Sequence, residues 1–420
     1  MSSKFWRSLA AFGLAVAMAA AAPASAVAQN SSSYGRTAWV AGWGASMQSP
    51  AEIFGPSWSV QGFADHSVRQ VVRVSTGGSL IRLRLSNVYG SAPLRVAGAT
   101  IGKAGDGAAV RPGSLRPVTF GHSLATTVQT GGELVSDPVV LFSAPLDRLS
   151  VTLYFAEPTG PATFHSSALA TSYRTTGDHR FDARSGAFIE TTQSWYYLAG
   201  VEMAGGAHRG TVVTLGDSIT DGYGATPDAD NRYPDELAER LLAAHRPTPV
   251  VNAGIGGNRV LNDSPCFGEK AITRFQRDVA NQPGVRTVIV LEGINDIGFS
   301  LMNFGDCNLP NPHVTAQQLI DGHRALIAAA HARGIKIIGA TVLPIKGSFY
   351  DASDSEAVRD ALNEWIRTSG EYDDVADLDR ATADPADPDR LNPAYDSGDA
   401  LHPNDAGYHA MADAVDLGSL

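Results

Sequence analysis

The sequence predicts an all-β domain followed by an α/β domain built on a parallel sheet. Three observations carry this. Short runs in the first half alternate apolar and polar residues, as in Ile81-Arg82-Leu83-Arg84-Leu85 and Leu149-Ser150-Val151-Thr152-Leu153-Tyr154-Phe155, with Gly, Pro, Asn and Ser clusters between them. Beyond Gly210 strand-like runs take turns with helix-period segments, the pattern of a parallel sheet covered by helices. Between the two, Ala204 to Gly210 is small and glycine-rich, which marks a boundary. The division expected is 1–28 as a leader, 29–205 as a β-sandwich or jelly-roll-like domain and 206–420 as the α/β domain.

The composition fits two folded domains: 420 residues, 44% hydrophobic and 18% charged. A formal net charge of −11 leaves no basic stripe for phosphates, so nucleic acid is not an expected partner. At the start, Lys4 and Arg7 precede the apolar run Leu9 to Ala22, followed by Ala24-Ser25-Ala26 and Ala26-Val27-Ala28. That is the charged, apolar, small-residue order of a secretory signal peptide, with a mature start near Val27 or Gln29; a retained anchor is the alternative reading. No later stretch is long and apolar enough for a transmembrane helix, so a secreted or periplasmic protein without stable membrane insertion is expected. In such a compartment Cys266 and Cys307, the two cysteines, are expected to form a disulfide stabilising the fold by roughly 3–4 kcal/mol. Neither Cys-x-x-Cys nor His-Glu-x-x-His spacing occurs, so no metal site is expected.

In the second half the β-branched run Thr211 to Gly216 reads as a buried strand, and the turn after it presents Ser218 at the strand's carboxyl end. A helix follows over Pro234 to His245, with Leu237 and Leu241 on one face, then a strand from Pro249 to Asn252. Arg286 to Leu291 is strand-like, Thr315 to Arg333 helix-like with Gly334 as its stop, and Ile335 to Leu343 strand-like. Helices over Ser355 to Thr368 and Asn404 to Val415 complete the chain.

A serine hydroxyl needs a base to take its proton and a group to orient that base. Asp399-Ala400-Leu401-His402-Pro403-Asn404 offers both, with a carboxylate three residues before an imidazole, although alone such a pair is usually a solvated turn. Two strand ends offer donors for an oxyanion. Asn252-Ala253-Gly254-Ile255-Gly256-Gly257-Asn258 supplies glycine N–H groups, and Gly293-Ile294-Asn295-Asp296 supplies a side-chain amide; a tight turn and a helix cap are the structural alternatives.

Taken in chain order, Gly216-Asp217-Ser218, the Asn252-to-Gly257 turn, Gly293-Ile294-Asn295-Asp296 and Asp399-Ala400-Leu401-His402-Pro403-Asn404 resemble the SGNH hydrolases, also called GDSL-type esterases, over about residues 208–420. The resemblance implies a three-layer α/β/α fold and ester hydrolysis through an acyl-enzyme without a cofactor. It makes Ser218 the nucleophile and first oxyanion donor, Gly257 the second donor, Asn295 the third, and His402 the base oriented by Asp399. Gly256 is the alternative second donor. The Gly-x-Ser-x-Gly elbow of the α/β-hydrolases is absent. Asp217, Asp221 and Asp296 are expected to hold loops in shape, and Phe299 to Pro312 either forms a pocket wall or packs in the core.

By analogy with extracellular members of the family, the substrate expected is a small acyl or aryl ester, or an acylated carbohydrate. A lipid-directed esterase is the second reading, and a binding protein with a vestigial site the third. Trp39, Trp43, Trp58, Trp195, Tyr196 and Tyr197 either stack on sugar rings or fill the β core.

Overall fold

Every residue of Thr211–Gly216 is buried, because the strand lies inside a sheet covered on both faces. The structure is a computed structural model that describes residues 38–420, so the leader expected over 1–28 falls outside the described residues. Five parallel strands run in the order Val250–Gly254, Thr211–Gly216, Val285–Leu291, Lys336–Ala340 and Asp374–Ala376. The strand order reverses beside Thr211–Gly216. At such a switch point the loops leaving neighbouring strands diverge and open a crevice outside their carboxyl ends. Gly216 lies level with Gly254 on one side and Leu291 on the other, so the segments carrying Ser218, Gly257 and Asn295 leave the sheet together.

Helices complete the three-layer α/β/α arrangement. Tyr233–Ala243 packs with Asp405–Asp413, and Ala316–His331 packs with Ser353–Thr368. Their apolar stripes, such as Leu319, Leu326, Ile327 and Ala330, face the core. Thr315 and Gln318 form a reciprocal capping box at the start of one helix, and Gly334 follows its end with φ +65°. Two segments depart from the expected pattern: Ala271–Phe275 continues as a π-helical turn, Gln276–Ala280, and Asp374–Ala376 is a three-residue strand. Neither is long enough to show a period in the sequence.

The antiparallel half holds two main sheets. One has the order Val40–Gly44, Leu198–Ala204, Gly78–Ser86, Glu133–Val135, with Val139–Ser143 also paired to Gly78–Ser86. The other runs Glu190–Thr192, Ser172–Thr176, His66–Arg73, Arg148–Phe155, Gly98–Lys103, Arg116–Val118. Ile81, Leu83 and Leu85 enter the core between them, while Arg82 and Arg84 meet Glu202 on the outer face. Ser150 and Thr152 are buried as well, contrary to the alternation expected. The reason is a layer over that face: buried Arg69 donates to Thr152 Oγ1 and to the carbonyls of Ala108 and Asp182, and sits over the Phe188 ring. Of the six aromatics considered for sugar stacking, Trp43, Trp58, Trp195, Tyr196 and Tyr197 pack in the core, and Arg82 lies over the ring of Trp39.

The chain passes from antiparallel to parallel sheet between Ala204 and Thr211. The described residues nevertheless form one compact unit. Ala41 packs into the core of the parallel half, and its N–H donates to the carbonyl of Pro283 at 3.0 Å.

Candidate active site

Ser218 begins a single helical turn, Ser218–Asp221, immediately after the strand. Asp217 caps it, its Oδ1 accepting from the N–H of Ile219 at 2.9 Å, and Gly222 closes it with φ +106°. As the first residue of the turn, Ser218 keeps its own N–H outside the helical ladder.

Ser218 Oγ lies 2.9 Å from His402 Nε2, and His402 Nδ1 lies 2.6 Å from Asp399 Oδ2. The remaining oxygen of Asp399 accepts from the N–H groups of Leu401 and His402. Burial raises the Asp399 carboxyl, but the bonds from the His402 ring and from these N–H groups outweigh it and bring the pKa to about 2. The carboxylate is therefore ionised, Nδ1 donates to it, and Nε2 is left to accept the serine proton. One carboxylate shapes this loop: Asp396 Oδ1 accepts from the N–H groups of Gly398, Asp399 and Ala400, which holds Ala400 in the left-handed region at φ +59°. The Tyr223 ring packs 4.6 Å from the imidazole.

The glycine turn answers which N–H is available. Asn258 N–H donates to Ile255 O at 3.0 Å across Gly256 and Gly257, and Gly257 has φ +77°. A Cβ there would stand 2.3 Å from the Phe267 ring, so no larger residue fits. Gly256 N–H is engaged by Asp221 Oδ2 at 3.1 Å, whereas Gly257 N–H has no partner among the described residues. Asn295 Nδ2 donates one proton to the carbonyl of Asn258 at 3.0 Å, leaving the other free. Its Oδ1 accepts from the hydroxyl of Tyr350 at 2.8 Å, which fixes the orientation of the amide.

All three flanking aspartates bind backbone N–H groups. Asp217 holds Ile219, Asp221 holds Gly256, and Asp296 holds Val260 and Leu261. Beneath them lies Arg274, which has no exposed surface. It donates to Gly216 O at 2.9 Å, Ala253 O at 2.7 Å and Asn258 Oδ1 at 2.8 Å, and it meets Glu292 and Asp278 at 3.3 Å.

Asp217 Oδ2 and Glu292 Oε2 are buried with no donor among the described residues. Burial raises Asp217 to about 7, with repulsion from Asp296 adding to the effect of burial and the bond from Ile219 opposing it. Burial, then repulsion from Asp217, pushes Glu292 well up. A carboxyl raised in the folded state contributes stability that is present below its unfolded value, about 4, and lost as pH rises through the folded value. The melting temperature is therefore expected to fall from about pH 4 to about pH 7. Asp399, shifted the other way, acts below that window. Glu292→Gln should flatten the fall; melting curves that decline equally in both proteins would refute the assignment.

The four segments enclose a cavity of about 190 Å³ over Ser218. Phe267, Phe299, Phe304 and Tyr350 line it from the parallel half, and the exposed Tyr223 and Phe349 stand at its edge. Phe54 arrives from the antiparallel half, 5.8 Å from the Phe267 ring and 6.0 Å from Tyr223. Of the segment expected as a wall, Phe299 and Phe304 reach the cavity, while Met302 packs against the core. Cys266 and Cys307 are joined, with Cα atoms 4.9 Å apart, so the bond ties the backbone beside Phe267 to the loop that carries Phe304.

Sequence reasoning missed Arg274, Tyr350 and Phe54. Each is a single residue without a motif, and only the fold brings it to the site.

Residues 214–410 match the model of the GDSL-like Lipase/Acylhydrolase family. No curated protein matches the chain. Similar solved structures include LAE5, an alpha/beta hydrolase enzyme from the metagenome of Lake Arreo, Spain, at 26% identity over 50% of this chain and 94% of that one, with a TM-score of 0.37. Axe2, an acetylxylan esterase from Geobacillus stearothermophilus, is 23% identical over 50% of this chain and 93% of its own, with a TM-score of 0.37. The acetyl xylan esterase AlAXEase is 20% identical over 49% and 96%, with a TM-score of 0.36. With the family match spanning the segments that converge on Ser218, residues 214–410 belong to the GDSL-like lipase/acylhydrolase family, and the chain is a carboxylic ester hydrolase.

Proposed function

We propose that the chain hydrolyses short-chain acyl or aryl esters through an acyl-enzyme on Ser218. The observation that carries the reading is the continuous path from Ser218 Oγ to His402 Nε2 and from His402 Nδ1 to Asp399. Ser218 Oγ attacks the ester carbonyl as His402 takes its proton, and Asp399 stabilises the imidazolium that forms. The oxyanion is held by the N–H groups of Ser218 and Gly257 and by Asn295 Nδ2. His402 returns the proton to the departing alcohol. Water then attacks the acyl carbonyl as His402 takes its proton, the bond to Ser218 Oγ breaks, and His402 passes that proton to Oγ as the acid leaves.

Cavity size supports a small acyl group: about 190 Å³ falls below the roughly 300–1,000 Å³ of drug-sized ligand sites. Exposed rings at the mouth, Phe54, Tyr223, Phe304 and Phe349, offer flat apolar faces to an aryl group or a sugar. The same rings favour lipid as the second reading. A p-nitrophenyl ester series from acetate to palmitate, with acetylated xylan beside it, separates the two. Highest kcat/KM at acetate or butyrate supports the proposal, and a maximum at long chains replaces it with a lipase. Export is part of the same reading, supported by the disulfide and the order of the first 28 residues. Sequencing the amino terminus of protein from the medium or periplasm checks it; an intact Met1 there, or its absence from both, overturns it.

Asn295→Ala is expected to lower kcat by roughly 10²–10³-fold with little change in KM, because the amide proton left over from the bond to Asn258 O serves the oxyanion and not the bound ester. Tyr350→Phe should reproduce part of that loss by freeing the amide to rotate. Steady-state kinetics on p-nitrophenyl acetate check both, and a purely KM effect would assign Asn295 to substrate binding.

A further inference from the structure

We propose that His165, contributed by the antiparallel half, is a positioning residue for the oxyanion donor Gly257, acting through Asp221 and the N–H of Gly256. The inference rests on the reading of Gly257 given above.

His165 ends the two-residue strand Phe164–His165 and is 2% exposed. Its Nδ1 lies 2.8 Å from the carbonyl oxygen of Ser46 and its Nε2 lies 2.9 Å from Asp221 Oδ1. A carbonyl only accepts, so Nδ1 carries a proton; the carboxylate also accepts, so Nε2 carries the second. The ring is an imidazolium held against a carboxylate in a buried site. Asp221 faces it from the turn that begins at Ser218, and the Arg232 guanidinium is the other charge acting on it. The Trp195 ring packs 5.4 Å away.

Asp221 has two oxygens and uses them on two different halves of the molecule. Oδ1 takes His165, and Oδ2 takes the N–H of Gly256. Gly256 opens the turn whose next N–H is that of Gly257, and Asp221 closes the helical turn whose first N–H is that of Ser218. The carboxylate of Asp221 thus sets the separation between two donors that must converge on one oxygen. With His165 in place the carboxylate has one orientation, anchored to the backbone at Ser46. Without it, the side chain is free to turn away from Gly256 and the Gly257 N–H loses its aim. Displacement of a reacting contact by about 1 Å costs on the order of 100-fold in rate, so small rotations suffice.

The experiment compares wild type with His165→Ala, His165→Asn, Asp221→Ala, the His165→Ala/Asp221→Ala double variant and Ser218→Ala, using p-nitrophenyl acetate kinetics and thermal melting. His165→Asn keeps an amide for the Ser46 carbonyl but is too short to reach Asp221, so it preserves folding if His165→Ala does not. Expected for either His165 variant is a kcat loss of roughly 10–100-fold with KM within about twofold. The double variant should be no slower than Asp221→Ala, because both changes break one path. Independent, multiplying losses, or a wild-type kcat in a folded His165 variant, would overturn the proposal. If Ser218→Ala retains activity, the nucleophile reading itself fails; an inactive Ser218→Ala beside a fully active His165→Asn removes only the role of His165.

Discussion

Replacing Ser218 with alanine is expected to lower kcat on p-nitrophenyl acetate by roughly 10⁴- to 10⁶-fold while the melting temperature stays within a degree or two of wild type. In the proposed mechanism the hydroxyl is the group from which the acyl-enzyme is built, and its hydrogen-bond partner among the described residues is His402. Deleting one oxygen from a site that opens onto a cavity removes little packing. If serine, imidazole and carboxylate act as the proposed unit, His402→Ala costs a similar factor, and the double variant is no slower than the worse single one. A residual rate above water would come from the oxyanion donors that remain. A Ser218→Ala protein that kept a tenth of the wild-type rate would place the chemistry elsewhere.

The second large effect concerns stability. Arg274→Met should lower the unfolding free energy by about 3–5 kcal/mol, a substantial part of the 5–15 kcal/mol typical of a folded domain. Methionine fills similar space but donates nothing, so Gly216 O, Ala253 O and Asn258 Oδ1 lose partners in a site without water-exposed surface. Glu292 and Asp278 also lose their positive neighbour. Urea unfolding by circular dichroism measures the change. A loss below about 1 kcal/mol would mean that the strand ends hold their positions without the guanidinium.

The contrast between these two residues explains what could be read from the sequence. Ser218, Gly257 and Asn295 each follow a strand of the parallel sheet within a few residues, so strand period and turn chemistry locate them locally. Asp399 and His402 sit in a turn whose spacing itself allows the bond. Gly257 over Gly256 follows from hydrogen-bond occupancy, which counting along a motif anticipates but does not explain. Arg274 lies in a short helix that passes into a π turn, and its side chain acts on two strand ends, at Gly216 and Ala253, 58 and 21 positions away. Tyr350 reaches Asn295 across 55 positions, and Phe54 arrives from the other half of the chain. Long-range partners of that kind leave no period and no spacing. In the antiparallel half, alternation located the strands but mispredicted Ser150 and Thr152, since a second covering layer is invisible from the strand's own residues.

The distance along the chain between Ser218 and His402, 184 residues, has a consequence for biosynthesis. A ribosome adding about 5–20 residues per second needs roughly 10–40 s to travel from one to the other. During that interval the nascent polypeptide carries the serine without its proton acceptor, and the segment from Asp399 to the helix Asp405–Asp413 supplies both the acceptor and the final layer over the sheet. Under the proposed mechanism, catalytic competence and completion of the hydrophobic interior are thus acquired in the same late step, and a chain stalled before residue 399 is expected to be inert as well as unfinished.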